Sequence, residues 1–330
     1  MNGLRVGVIG VGYLGQHHAR IYESLPHARL VGVADLDSER CRIIGTRHQV
    51  QIFSDFRLMV QQVDAVSVAV PTSDHFSVAK ECLAAGVHVL VEKPIASTVE
   101  EGRELVELAR GEGLTLQVGH SERFNPIMEL IRPRIKNPGF VECHRLAPFQ
   151  SRGTDIDVVL DLMIHDLDIV LSFGLGKIRN VEAVGVAVLS PNIDFSNARI
   201  EFENGCVANL TASRVSTGYL RKLRLFQPDE YISVDYQTRR GILYRRVYGD
   251  EDQSTVKTEH LHGDNEEPLE RELGAFIHAV RSGSRPLVSG EDGTASLELA
   301  HKVLAVIKAG ESPVQDGADI AYSPRGDYSP

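Results

Sequence analysis

The stretch Val6-Gly7-Val8-Ile9-Gly10-Val11-Gly12-Tyr13-Leu14-Gly15 decides the fold. An apolar run enters a G-x-G-x-x-G spacing, and a helical pattern over Tyr13–Ser24 follows. The three glycines do different physical work, since one makes the tight strand-to-helix turn, one lets backbone approach a pyrophosphate, and one lets helix pack on strand. A diphosphate would then rest on the helix N-terminus beside Tyr13 and Leu14, where unpaired amides and the helix dipole favour anions. Asp35 closes the next apolar run, Leu30–Ala34, twenty residues beyond Gly15. Its carboxylate would accept hydrogen bonds from both hydroxyls of an adenosine ribose and repel the extra phosphate of NADP, which makes NAD the expected cofactor. A glycine turn without a ligand is the alternative, and the strand, helix and acidic residue around the triplet weigh against it.

Composition bounds the rest. With 330 residues, 42% hydrophobic and 24% charged, the chain is long enough for two globular domains. A formal net charge of -10 argues against nucleic acid or an anionic membrane as partner, since both demand basic surface. Cys41, Cys82, Cys143 and Cys206 are far apart, which suggests buried thiols and neither a disulfide framework nor a zinc site. The start lacks a basic segment followed by a long apolar region, and no stretch approaches a membrane span. A cytoplasmic location is the expectation.

Up to about residue 121, strand-like runs Arg5–Ile9, Leu30–Ala34, Ala65–Val70, Val87–Val91 and Thr115–Val118 alternate with helical patterns, among them His75–Ala85 and Val99–Arg110, the latter capped by Ser97-Thr98. That alternation implies an α/β fold with a doubly wound parallel sheet, with ligands gathered at the carboxyl ends of its strands. Residues 122–312 read as a second domain: helical Pro126–Ile135, strand Phe140–Arg145 and an apolar helix over Ile156–Leu171. An antiparallel sheet then includes Val181–Leu189, Ala198–Phe202, Val207–Ala212, Lys222–Phe226 and Tyr231–Tyr236, with Asn204-Gly205 as a hairpin turn. Two closing helices, Leu269–Arg281 and Thr294–Lys308, are expected to pack on that body, and 313–330 reads as a tail.

Two stretches carry candidate chemistry. In Val91-Glu92-Lys93-Pro94 a parallel strand ends, so Lys93 should project into the crevice where a nicotinamide would lie. Desolvation beside the positive ring would bring its ammonium nearer to acid/base range; a solvated lysine after a strand is the competing reading. Pro94 leaves a cis peptide bond open. In the Ile156–Leu171 helix, Asp157, Asp161, His165 and Asp168 recur every three or four residues and form a polar stripe. Asp161, one turn before His165, could orient an imidazole that takes a proton from a substrate hydroxyl. A buried polar network competes with that reading, and one histidine among carboxylates is too few ligands for zinc, so no metal is expected. Pro71 and Thr72 should line the cofactor, His75 follows them at the same edge, and His120 lies at the end of the sixth strand.

The glycine fingerprint, Glu92-Lys93-Pro94 and the Asp161-x-x-x-His165 helix, in this order, resemble the superfamily of glucose-fructose oxidoreductase, inositol dehydrogenase and the rhizopine-catabolism protein. The resemblance spans nearly the whole chain, to about residue 311. It implies a Rossmann domain followed by an α/β domain with an open, mainly antiparallel sheet that often mediates oligomerisation, and hence a homo-oligomer, dimer or tetramer. It also implies that Lys93, Asp161 and His165 form a catalytic group. Many members carry a glycine between the aspartate and the histidine, where this chain has Leu162-Met163-Ile164.

Val118-Gly119-His120-Ser121-Glu122-Arg123-Phe124-Asn125-Pro126 and the Asp155–Leu171 stretch further resemble a subgroup that oxidises the 3-hydroxyl of UDP-N-acetylglucosamine. Its product ketone goes to a separate aminotransferase, on the way to a diamino sugar for lipid A. Arg123 and Arg152 are candidates to hold the nucleotide diphosphate, with surface ion pairs as the alternative. Other readings stay open: oxidation of an inositol, a free sugar or a UDP-linked uronic acid, a non-catalytic NAD-binding sensor, or a sugar-binding partner in a biosynthetic complex.

Overall fold

A computed structural model describes residues 3–150, 156–249 and 254–310. Six short strands, β1 (Leu4–Ile9), β2 (Ala28–Ala34), β3 (Gln51–Phe53), β4 (Ala65–Val68), β5 (His88–Glu92) and β6 (Leu116–Gly119), form a wholly parallel sheet in the order β3-β2-β1-β4-β5-β6. The order reverses between β1 and β4, so their carboxyl ends frame the crevice where α/β sheets take ligands. Helix α1 (Gly15–Ser24) leaves the glycine loop, followed by α2 (Ser38–Arg47), α3 (Phe56–Val60), α4 (Thr72–Ala84) and α5 (Val99–Gly111). Thr98 caps α5 in a reciprocal box with Glu101, which satisfies two of the helix's free amides. The short strand β3 and helix α3 were not legible in the sequence pattern, because three residues or one turn are too few to show a period, and the ten-residue α2, with only Cys41, Ile44 and Gly45 buried, shows no clear apolar stripe.

A second sheet of eight strands follows. It comprises β7 (Phe140–Leu146), β8 (Ile178–Val186), β9 (Phe195–Phe202), β10 (Val207–Ser213), β11 (Leu220–Gln227), β12 (Glu230–Asp235), β13 (Arg240–Tyr248) and β14 (Ser254–His262). The order is β14-β13-β12-β11-β7-β10-β9-β8, antiparallel except where β7 lies beside β10. Asn204-Gly205 turns β9 into β10 with Gly205 at a positive φ of 87°, as the hairpin reading expected. One face is apolar and covered by helices; Val141, Leu210, Leu225 and Ile232 project from it into the core. The other face is open, with polar residues and a row of rings, Phe140, Phe226, Tyr231 and Tyr244, on successive strands.

Between the sheets run α6 (Pro126–Ile131) and a segment that begins as a π-helical turn over Val159–Met163 and continues as α7 (Ile164–Leu171). The chain closes with α8 (Pro268–Ser282) and α9 (Gly290–Gly310). Only α9 meets the expectation for the closing helices, and only in part: it packs on α7 and β8 but also on α5 and β6. Helix α8 instead lies beside α1 on the first sheet, where Leu273, Phe276 and Ile277 join Val6, Val8, Tyr22 and Leu90 in one core. The reason is coverage. A parallel sheet needs both faces buried, α1 and α2 cover the half around β1 and β2, and α8 returns to cover the same face over β4 and β5. All four cysteines are free and buried. Among the described residues no helix is long and apolar enough to cross a membrane.

Because Phe276 is fully buried where α8 closes over the first sheet, Phe276→Ala should cost about 3–5 kcal/mol by denaturant unfolding. A loss under about 1 kcal/mol, the range of a surface change, would place α8 outside the core.

Candidate functional site

The glycine loop has the shape of an anion cradle. Gly10 sits at φ 82°, and a side chain there would run into the Ala69 carbonyl oxygen at 2.7 Å. A Cβ on Gly15 would lie 1.8 Å from the Gly10 carbonyl oxygen, so α1 can approach β1 only as glycine. Beside Gly12 the nearest group is 3.8 Å away, the Arg40 guanidinium, which leaves open space at the helix N-terminus. Asp35 accepts from the Val11 amide at 2.7 Å and the Asp37 amide at 2.8 Å, so the acidic residue at the end of β2 also anchors the loop. Each carboxylate oxygen keeps accepting capacity for a ribose hydroxyl. Tyr13 and Leu14 are exposed on the rim, and Pro71 and Thr72 open α4 across the crevice. These residues fit a dinucleotide.

Lys93 follows β5, and its peptide bond to Pro94 is cis. Its ammonium reaches the second domain, donating to the Asp161 carbonyl oxygen at 2.6 Å and lying 3.4 Å from Asp161 Oδ1. The expected link between Asp161 and His165 is absent. A four-residue separation puts two side chains on one face of an α-helix, but Asp161 lies inside the π turn, whose wider i→i+5 bonding breaks that register. Asp161 holds the lysine instead of the imidazole.

The polar stripe divides accordingly. Asp157 accepts from the Ile193 amide at 2.9 Å and Asp168 pairs with Arg123, both structural roles. His165 is half-buried, its Nδ1 is sealed from solvent, and its ring meets that of His120 edge to face at 5.9 Å. Burial first, then the charges of Lys93 and Arg145, hold the His165 imidazole well below its ordinary protonation range. His120 is buried too and pushed down to about 3, again by burial ahead of the nearby cations. Ser296 Oγ donates to the Gly293 carbonyl, so it must accept from His120 Nε2–H at 3.0 Å, which fixes the tautomer.

Several residues expected at the cofactor or substrate sit behind the cleft. His75 is 1% exposed, with Nδ1 2.7 Å from the Pro94 carbonyl and Nε2 2.9 Å from that of Val70, so it ties the Lys93-Pro94 turn to the end of β4. Glu92 is buried against His18 Nε2 at 2.9 Å. Burial alone would raise its carboxyl, but the bond and charge of His18, with Lys93, bring it below the ordinary value. Arg123 does not face a ligand: its guanidinium lies 3.3 Å from Asp168 and donates to the Leu287 carbonyl, and the side chain is buried. A buried arginine needs such partners, and the sequence could not show that α7 supplies one. Arg152 and 313–330 lie outside the described residues.

Sequence reading missed a charged cluster beside His165. Arg145, on β7, gives Nε and Nη2 to Asp166 at 3.0 and 2.8 Å and Nη1 to Glu122 at 2.9 Å. The alternation of β7 placed Arg145 on the core face, and a core arginine between apolar neighbours was the available signal.

Comparison with known proteins agrees with this architecture. Residues 4–120 match a family described as an oxidoreductase family with an NAD-binding Rossmann fold, and 142–229 match the GFO/IDH/MocA C-terminal domain. The chain is 36% identical over 308 residues to UDP-N-acetylglucosamine 3-dehydrogenase of Acidithiobacillus ferrooxidans, covering 93% of this chain and 98% of that one. A solved structure of that enzyme superposes with a TM-score of 0.88 at 36% identity, covering 94% and 99% of the two chains. Myo-inositol 2-dehydrogenase of Thermotoga maritima is 26% identical over 317 residues, covering 90% and 94%.

The imidazole pair yields a direct measurement. Nitrogen-15 NMR should find His120 neutral with its proton on Nε2 from pH 8 down to about 5, since its protonation lies near about 3. His165 should stay neutral at pH 6.5. An imidazolium signal from His120 at pH 6 would contradict the geometry.

Proposed function

Because the chain belongs to the glucose-fructose oxidoreductase, inositol dehydrogenase and MocA family of oxidoreductases, we propose that it is an NAD-dependent dehydrogenase that turns a sugar hydroxyl into a ketone. The 3-hydroxyl of UDP-N-acetylglucosamine is its favoured substrate, a reading supported by the 36% identity over nearly the whole chain. The observation that supports it is a contact between the two bodies: Lys93, following β5 at the carboxyl edge of the first sheet, bonds to Asp161, and its charge acts on His165 one turn further along the same segment. NAD, when bound, supplies the hydride acceptor. Gly10, Gly12 and Gly15 would hold its diphosphate and Asp35 its ribose.

His165 does the proton work. Its imidazole is neutral near pH 7 and its Nδ1 is sealed, so Nε2 is the atom that accepts the hydroxyl proton as the carbon gives up hydride. Lys93 Nζ donates to the same oxygen and stabilises charge developing on it, and Asp161 keeps the ammonium in place. The proton is shared by a coupled pair, so its final position belongs to both. The ketone product is the functional group that an aminotransferase consumes, which places the reaction ahead of amination in making a diamino sugar such as that of lipid A. Oxidation of inositols is the second reading, favoured by relatives such as the one from Thermotoga maritima.

Lys93→Ala and His165→Ala should each lower kcat by ~10²–10⁴-fold while NAD affinity changes little. NADH formation from purified protein, NAD and a panel of UDP-sugars, free sugars and inositols checks this; undiminished turnover in both variants rejects the assignment. The open face of the second sheet, with exposed Phe226, Tyr244, Val256 and Tyr248, supports a homo-oligomer. Light scattering should then give at least a dimer, and Tyr244→Glu should shift it toward monomer.

A further inference from the structure

Three cations act on His165: Lys93, Arg145 and Arg221. Two have close partners. Lys93 is held by Asp161, and Arg145, its side chain 4% exposed, is locked between Asp166 and Glu122. Arg221 is different. It stands directly across from Arg145 in the β11–β7 register, so both rise from the same face of the sheet. Its side chain is 45% exposed, and among the described residues its ion pairing is a single contact, Nη1 to Glu122 Oε1 at 3.3 Å.

Glu122 has little need of that contact. Its carboxylate, 9% exposed, already receives Arg145 Nη1 at 2.9 Å and Asn125 Nδ2 at 3.1 Å. A guanidinium present only to neutralise a buried acid would be buried with it. Arg221 instead leaves most of its five N–H donors uncommitted within electrostatic reach of His165, on a base made rigid by Arg145, Glu122 and Asp166. A planar fork of free donors matches phosphate or carboxylate oxygens.

We infer that Arg221 is a specificity-determining residue that grips an anionic substituent of the substrate while the sugar hydroxyl lies at His165. The inference rests on the sugar-oxidation reading above and narrows it to sugars that carry a negative group, with a nucleotide diphosphate as the first source and a sugar carboxylate as the second. It also gives the role expected of Arg123 to a residue on the second sheet.

Calorimetric titration with saturating NADH, which fills the glycine-loop site, tests this without turnover. UDP, neutral uridine and glucuronate are the probes. The wild-type protein should bind UDP at least about 10-fold more tightly than uridine, and Arg221→Met should reduce that ratio to about 2-fold or less. Arg221→Lys, which keeps the charge beside Glu122 but loses the fork, should fall between; it carries the test if the Met variant no longer binds NADH and is therefore misfolded. Glucuronate binding that needs Arg221, with no gain for UDP, keeps the residue's role and assigns the anion to a carboxylate. An Arg221→Met variant with the full UDP preference, or a wild-type protein that favours neither anion, overturns the inference. Failure to oxidise any sugar would instead strike the dehydrogenase reading, leaving these titrations interpretable.

Discussion

The bond from Lys93 Nζ to the carbonyl oxygen of Asp161, at 2.6 Å, joins the two sheets' machinery at one point. The first sheet contributes a crevice and a lysine at the end of β5; the second body contributes an aspartate and an imidazole from one helical segment. Neither half makes this contact alone. The π turn over Val159–Met163 makes the meeting possible, since an ordinary α-helix would direct Asp161 toward its own fourth neighbour. Of Leu162-Met163-Ile164 after Asp161, Met163 and Ile164 are fully buried, so the turn is held by packing into the core rather than by backbone freedom.

Around that contact polarity is sorted into two compartments. His120 and His165 are kept uncharged near neutral pH by burial and by the surrounding cations. Next to them Glu122, Arg145 and Asp166 are buried as ions, each bonded at 3.0 Å or less to an opposite charge. Taking such a cluster out of water costs several kcal/mol per ion, which close bonding recovers only in part. Its position directly after His165 in the chain makes it a rigid footing: Asp166 cannot swing without breaking two bonds to Arg145. The imidazole's orientation is therefore set from behind, by ions, and from the side, by the His120 ring.

Much of this was written in local pattern. The parallel sheet, the glycine loop, the cap at Thr98 and the hairpin at Asn204-Gly205 depend on neighbours within a few residues, and each is visible to periodicity and turn chemistry. What escaped depends on partners far apart in sequence. Arg123 reads like any surface arginine until Asp168 is brought to it, and His75 reads as a cleft residue until two carbonyls close over its ring. Helix α8 has the apolar stripe of any closing helix, and nothing local says which sheet has a bare face. The Asp161–His165 pairing failed for a subtler reason: spacing was read with an α period where the backbone follows another.

Asp35 ties the acidic residue expected at a ribose to the order of the glycine loop. Its carboxylate is the acceptor for the Val11 amide inside the glycine loop and for the Asp37 amide at the start of α2, and its side chain is only 8% exposed. The charge that would exclude a 2′-phosphate is thus also the clamp that shapes the diphosphate cradle. Arg40, 3.6 Å from Asp35 and reaching over Gly12, supplies a cation that a 2′-phosphate could use. Removing the aspartate alone would admit that phosphate and at the same time leave the Val11 amide without its partner, loosening the loop that must bind either dinucleotide. The acidic charge and the loop's order rest on one side chain, so the charge cannot be removed without a compensating acceptor for Val11.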